Sequence, residues 1–425
     1  MAAWSGHRID LPCTDFSSRF PALASRLRYP SLVAVSSRGF AQLVAPSEPD
    51  RPLRLNATGS VTHDSNLFRL SDVVDPATAI GSSDKADTIY RIGAGGSYEL
   101  RQSRQKFILE GNLDDYKFQN FSNLDYAGYN AKGEWKWQVG NFWDGDLGLG
   151  RRRYLNSFTN VQSNTKDLVD QNQIYGTANY HLHSRLRLTL DLSEYVNHHG
   201  AVSQQIYNSK SDNAAFTVNW ITPAENTVGL QFRTANASYP NRQVILGNRV
   251  DNSSSEDELN LVANWRVTGV SSFQARLGYT ERKYDELATR NFSGVTWRLN
   301  YNWQPTGKLR FDFATWREIG EYQDVNSNYV QITGISLAPT LSLTPNVTLQ
   351  GKLSYLSDKY LGNPGFVPAV NSRSDTEHIV QVAVLWTPIR RTTVTLALEK
   401  GERASNVAIF SYDYKTIGVT AVYNF

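Results

Sequence analysis

The final segment of the chain, Tyr412 to Phe425, limits what this sequence can fold into more than any other. From Lys415 onward the side chains alternate. Ile417, Val419, Ala421, Tyr423 and Phe425 fall on one face, with Thr416, Gly418, Thr420, Val422 and Asn424 on the other. A period of two with one apolar face marks a β-strand. Most soluble domains end in polar, frayed residues, whereas this strand runs to the last residue and stops on an aromatic ring. It is either the edge of a soluble sheet or the strand that closes a barrel.

The rest of the chain repeats the pattern. Alternating runs fall near 53–63, 87–101, 106–117, 126–138, 143–154, 167–182, 186–196, 211–221 and 227–236. They continue near 257–266, 272–282, 292–304, 309–319, 329–343, 347–357, 376–387 and 392–402, and the last begins near 412. That predicts about eighteen strands, an even number as single-chain bacterial barrels have, each long enough to cross a bilayer at a tilt. Connections alternate short and long. Val139-Gly140-Asn141, Val267-Thr268-Gly269 and Pro305-Thr306-Gly307 are short; the segment from His63 to about residue 86 is long. In a barrel with both termini in the periplasm, the short turns are periplasmic and the long loops extracellular. Trp137, Trp143, Trp220, Trp265, Trp303 and Trp386 all lie at or beside a short turn. An indole is most stable at the headgroup boundary, so these read as one aromatic girdle. A final strand ending in Tyr423 and Phe425 also resembles the signal by which outer-membrane barrels are handed to the barrel-assembly machinery.

The expected fold is therefore all-β, a transmembrane antiparallel up-and-down barrel over 53–425 facing outer-membrane lipid in a bacterial outer membrane. The mean hydropathy of −0.44 excludes helical spans but not a barrel, which shows lipid only every second residue. The single Cys, Cys13, excludes a disulfide framework and a thiolate metal site. Residues 1–41 read as a presequence, with Arg26 and Arg28 before Leu32-Val33-Ala34-Val35 and a small-x-small site at Gly39-Phe40-Ala41. Arg38 interrupts it, so it is a poor signal peptide, and 42–52 is a linker. Cleavage after Ala41 would remove five Arg and two Asp from totals of 43 basic and 40 acidic residues. The two signs then balance, and a nucleic-acid partner is not expected.

Strand parity places Arg54, Arg91, Arg101, Arg187, Asp191, Arg233, Arg276, Arg298, Arg310 and Asp312 on the face away from lipid. Charge there is affordable in a wet lumen, where on the lipid face an Arg or Lys costs about 2–4 kcal/mol near the midplane. These residues either line a polar path for a hydrated solute or pair to stiffen the wall. Unpaired, the arginines would set a positive field favouring anions. Tyr residues near the long connections suit stacking on sugar rings, and equally an outer girdle. No HExxH, GxSxG or P-loop spacing appears, and no metal or cofactor site is expected. His198-His199 beside Asp191 or Glu194 is the one pairing that an outer-membrane hydrolase could use.

His63-Asp64-Ser65-Asn66-Leu67-Phe68-Arg69-Leu70 resembles the Asp-x-Asn-Leu-Phe-Arg signature of the exosortase-B-associated exopolysaccharide biosynthesis outer-membrane proteins, the EpsL type, through Asp64, Asn66, Phe68 and Arg69. Leu155-Asn156-Ser157-Phe158, Tyr239-Pro240-Asn241-Arg242, Asn291-Phe292-Ser293-Gly294 and Tyr322-Gln323-Asp324 fit the same family in order and spacing. The resemblance implies a role in making or exporting an extracellular polysaccharide, with periplasmic and inner-membrane synthesis and export proteins as partners. It brings no catalytic residues. The leading expectation is a passive conduit for the polymer. A non-conducting barrel that scaffolds the secretion machinery or anchors polysaccharide is the alternative, and a polymer-modifying enzyme a third.

Overall fold

The computed structural model describes residues 52–159, 161–245, 248–286, 291–320, 329–361 and 373–425. The presequence, all of the linker but its last residue, and Tyr322-Gln323-Asp324 lie outside the described residues. The first strands are β1 (Leu53–Asp64), β2 (Asp87–Gln102), β3 (Gln105–Phe118), β4 (Tyr126–Val139), β5 (Trp143–Leu155) and β6 (Leu168–His183). There follow β7 (Leu186–His199), β8 (Ser209–Ile221), β9 (Thr227–Ser238), and a small hairpin of β10 (Gln243–Ile245) and β11 (Asn248–Val250). Then come β12 (Ser254–Thr268), β13 (Ser271–Tyr284), β14 (Phe292–Trp303), β15 (Leu309–Gly320) and β16 (Tyr329–Thr344). The wall is completed by β17 (Val347–Leu361), β18 (Ser374–Ile389), β19 (Thr392–Ser405) and β20 (Tyr412–Asn424).

Eighteen of these form one sheet in which each strand pairs with its sequence neighbours, the β10–β11 hairpin standing apart as an excursion between β9 and β12. The sheet closes where β1 meets β20, antiparallel, from Asn56↔Asn424 to Asp64↔Thr416. Closure satisfies the edge backbone groups that lipid could not hydrate. The Phe425 N–H donates to the Leu55 carbonyl at 2.9 Å, so the terminal residue is part of the seam. Antiparallel closure puts every short turn at one end, together with Leu53 and Phe425, and every long connection at the other. Register shifts occur beside four of the short turns, at His181/His183, Arg266/Thr268, Ser342/Thr344 and Trp386/Ile389. Such bulges increase local twist, which helps a hairpin turn at a barrel rim.

Alternation sets the two faces. Along β9, Leu230 and Phe232 are 56% and 52% exposed, while Gln231 and Arg233 between them are 5% and 1% exposed. The exposed set is apolar and continues round the barrel through Ile92, Leu109, Leu149, Leu192, Leu261, Leu277, Leu353, Val382 and Val419. It forms the band that lipid covers. All six girdle tryptophans lie on this outward face, some reinforced by neighbours. The Trp143 and Tyr180 rings are 4.5 Å apart, and Trp303 and Phe311 stack at 5.5 Å. Tyr423 and Phe425 face the same way, edge to face at 5.0 Å.

Candidate functional site

The inward face is polar, and along β9 and β12–β15 its charges are matched. Arg233 on β9 reaches Glu256 at 2.7 Å and Glu258 at 3.1 Å on β12, and Arg282 on β13 holds the other oxygen of Glu256 at 2.6 Å. Arg276 bridges Glu258 and Glu318, each at 3.2 Å. Arg298 on β14 grips Glu318 through two bonds of 2.8 and 2.7 Å. The result is a ladder across β9 and β12–β15 in which guanidinium and carboxylate alternate. Asn260, Gln231 and Thr217 extend it as an amide–hydroxyl row toward β8. Two-point pairing of this kind fixes the side chains flat against the wall.

The other inward candidates are also mostly paired. Arg91 bonds Asp114 at 2.8 Å, Arg101 bonds Glu99 at 2.7 Å, and Arg310 bonds Asp312 at 2.9 Å. Asp191 accepts from Thr177 at 2.8 Å, and Arg187 stands near Asp144 and Asp191. Arg54 is half-buried on the inward face of β1. Pairing therefore cancels much of the positive field that these arginines would set if free.

The second feature is the long-loop mouth. Residues 65–86 do not stand away from the rim; their start folds against the inward face of β19 and β20. Asp64 receives two bonds of 2.9 Å from the Arg69 guanidinium, and the same guanidinium lies 3.6 Å from the centroid of the inward-facing Tyr414 ring. Burial lowers the Arg69 pKa, but Asp64 and Tyr414 more than offset it, so the charge is held firmly. Arg69 has φ 56°, the left-handed region a non-glycine residue occupies at a cost of about 1–2 kcal/mol. The Asp64 clamp offsets that strain. The Asn66 carboxamide closes a turn on Leu70, donating to its carbonyl at 2.8 Å and accepting from its N–H at 2.9 Å, and also donates to the Asp413 carbonyl at 2.9 Å. Phe68, fully buried, packs against Phe121 at 4.7 Å and Phe158 at 4.6 Å, with Leu124 and Ile80 beneath. Ile80 ends a short helix, α1 (Pro76–Ile80), which Asp75 caps.

The β5–β6 and β19–β20 loops also join this cluster. The Gln162 side chain donates to the Arg69 carbonyl, Ser71 donates to the Ala408 carbonyl at 2.8 Å, and Arg403 of β19 reaches the Thr159 carbonyl at 3.5 Å. The β5–β6 loop thus meets β19 across part of the mouth. Its base is locked by Asp167, which bonds His199 at 2.7 Å and the Ala201 N–H at 3.1 Å. Burial pushes the Asp167 carboxyl up; the His199 ring and the Ala201 N–H outweigh it and hold the carboxyl below its usual range.

His199 therefore partners Asp167, not Asp191 or Glu194; Glu194 pairs with Lys210 at 2.8 Å. Sequence proximity missed Asp167 because it lies on the preceding hairpin arm. The four described loop motifs turn out to share one device, an asparagine that ties a loop to neighbouring chain. Besides Asn66, Asn156 donates to Asp167 at 2.9 Å, Asn241 donates to the Gln205 carbonyl at 2.7 Å, and Asn291 accepts from the Tyr284 N–H at 2.9 Å. Among the described residues no cluster of His, Cys, Asp and Glu is arranged to hold a metal ion.

A closed eighteen-stranded barrel with an apolar outer band, an aromatic girdle and a polar interior is a porin-like protein of the bacterial outer membrane. The family described as "Putative beta-barrel porin 2" matches over residues 252–425, the strands from β12 to the end. Among curated proteins there is no match to the sequence. The fold is similar to that of the Pseudomonas aeruginosa porin OccK2 (OpdF) in complex with glucuronate, at TM-score 0.51 and 11% identity over 88% of this chain and 98% of that one. It is likewise similar to a BenF-like porin from Pseudomonas fluorescens Pf-5, at TM-score 0.50 and 10% identity over 88% of this chain and 99% of that one.

Proposed function

We propose that the barrel is a passive outer-membrane conduit for an extracellular polysaccharide, working beside periplasmic and inner-membrane synthesis and export proteins. The observation that carries this reading is the charge-paired inward wall. It offers hydrogen-bond donors and acceptors along the ladder from Arg233 to Arg298 and Glu318, yet little net field. Such a wall suits a hydroxyl-rich polymer better than a small ion selected by charge. Two further points support it. The Asp64-Asn66-Phe68-Arg69 signature resembles that of the exosortase-B-associated exopolysaccharide proteins, and a porin of similar fold has been seen with a sugar acid, glucuronate. In this reading the short turns and both termini face the periplasm, and the loop cluster around Phe68 narrows the outer mouth. No side chain is assigned a catalytic role.

The loop cluster also favours a second reading, a non-conducting barrel that scaffolds the secretion machinery or anchors polymer at the surface. Cells lacking the chain separate function from its absence. The conduit reading expects polysaccharide to be lost from the surface and retained in the periplasm, with recovery on re-expression. Unchanged surface polymer would sink both readings, and loss from the surface without periplasmic retention would favour the anchor.

A further inference from the structure

Trp316 is out of place among the tryptophans. Trp135, Trp297 and the six girdle residues face outward; Trp316, on β15, is the one described tryptophan on the inward face. Its cross-strand neighbours are Arg298 on β14 and Gly334 on β16. A Cβ placed on Gly334 would sit 2.3 Å from the indole, so only glycine lets the ring lie down on the wall there. One side of the ring system leans on the apolar cluster of Val330, Ile332 and Tyr360. The half-buried remainder borders the lumen, and the Arg298 guanidinium stands 5.6 Å from its centroid, oriented by Glu318.

We propose that Trp316 is a pyranose-stacking platform on the lumen wall, with the Arg298–Glu318 pair as its hydrogen-bonding edge; this rests on the polysaccharide reading and names a binding site within it. Pressed on Gly334 on one side, the half-buried ring presents its remaining surface beside the Arg298 guanidinium. The C–H face of a sugar ring is apolar and slightly positive, matched to the negative face of an indole. The sugar's hydroxyls then meet a fixed guanidinium donor and a carboxylate acceptor in one plane. A second ion pair, Arg310–Asp312, lies on the same inward face of β15 toward the turn end, its side chains 44% and 43% exposed. Asp312 is four residues from Trp316, roughly 13 Å along the strand. That spacing exceeds one sugar ring, so the site fits a chain of sugars better than a lone monosaccharide.

The test is block of single channels in planar bilayers by maltodextrins and, separately, alginate oligosaccharides, added from either side. For the wild-type protein, oligosaccharide should produce resolved closures. Trp316→Ala should shorten them at least several-fold at unchanged open conductance, Trp316→Phe should fall between, and Trp386→Ala on the outer girdle should match wild type. Equal block in wild type and Trp316→Ala, or an open wild-type channel that no oligosaccharide blocks, overturns the proposal. Should Trp316→Ala fail to assemble, Trp316→Phe against wild type decides it in the same way. A failed block with normal polymer export in cells removes this subsite alone; block with export indifferent to the chain removes the conduit reading and leaves a sugar site.

Discussion

The Arg69 guanidinium rests 3.6 Å from the centre of the Tyr414 ring, joining the first long loop to the last strand across the seam where the barrel closes. Tyr414 in turn donates to Glu399 at 2.6 Å, and its ring fills the space over Gly401. The loop is thus anchored to the inner wall at the point where the chain's two ends meet. A barrel lacking its final strand would lose both the seam and the loop's seat.

If this loop narrows the mouth, loosening it opens the channel. Phe68→Ala removes the buried ring at the centre of the cluster, a loss of about 3–5 kcal/mol of packing. Much of that cost falls on the loops, because the rings that meet Phe68 directly, Phe121 and Phe158, lie on loops at the long-loop rim. The variant should keep its heat-modifiable barrel, conduct more than wild type, and lose protease protection within residues 65–86. Unchanged conductance with a demonstrably loosened loop would show that the cluster does not restrict the pore.

The face assignment gives a sharp contrast between adjacent positions. Leu230→Arg sets a charge in the lipid band, about 2–4 kcal/mol unfavourable near the midplane, whereas Gln231→Arg sets it in the polar interior. Leu188→Arg and Thr189→Arg form a second such pair on β7. The leucine variants should lose most folded protein from outer-membrane fractions and the other two should retain it, read by gel mobility with and without heating. Equal loss at all four would mean that the faces are exchanged or irrelevant.

The Asp167–His199 lock predicts acid sensitivity in the β5–β6 loop. Because the Asp167 carboxyl is held below its usual range in the folded protein, its stabilisation is complete above the unfolded value of about 3.9 and is lost as pH falls through the lower folded value. Protection of residues 156–167 from an acid-active protease should hold near pH 5 and fall below about pH 4. Asp167→Asn should be less protected at pH 5 and show no such step. A step of equal size in Asp167→Asn would assign it to another group.

The barrel was legible because its signal is periodic and repeated: the strand starts near 143, 186, 292, 309 and 412 coincide with those of the structure. Parity alone placed Arg233 on the inward face, as the structure has it. The pairing of Arg233 with Glu256 was not legible: the runs near 227–236 and 257–266 follow one another, but Glu256 lies just outside the second run and the register between the two strands is not written in spacing along the chain. Nor did the sequence show that Asp64-Asn66-Phe68-Arg69 serves to fold a loop inward. Asp64 meets Arg69 locally, but Tyr414 and Asp413 are brought to that site only by barrel closure. The Asp167–His199 pair was hidden for the same reason, as cross-strand register is invisible to spacing along the chain.

The central claim is a water-filled, charge-balanced conduit, and reversal potential under a salt gradient tests it most directly. Purified barrel in planar bilayers should conduct, with weak selectivity between cation and anion, because Arg233, Arg276, Arg298 and Arg310 are each matched by a carboxylate. Replacing those four with Gln frees the partner acids and should move selectivity toward cations. Folded protein that passes no current, with the first loop intact or with Phe68→Ala, would contradict the account.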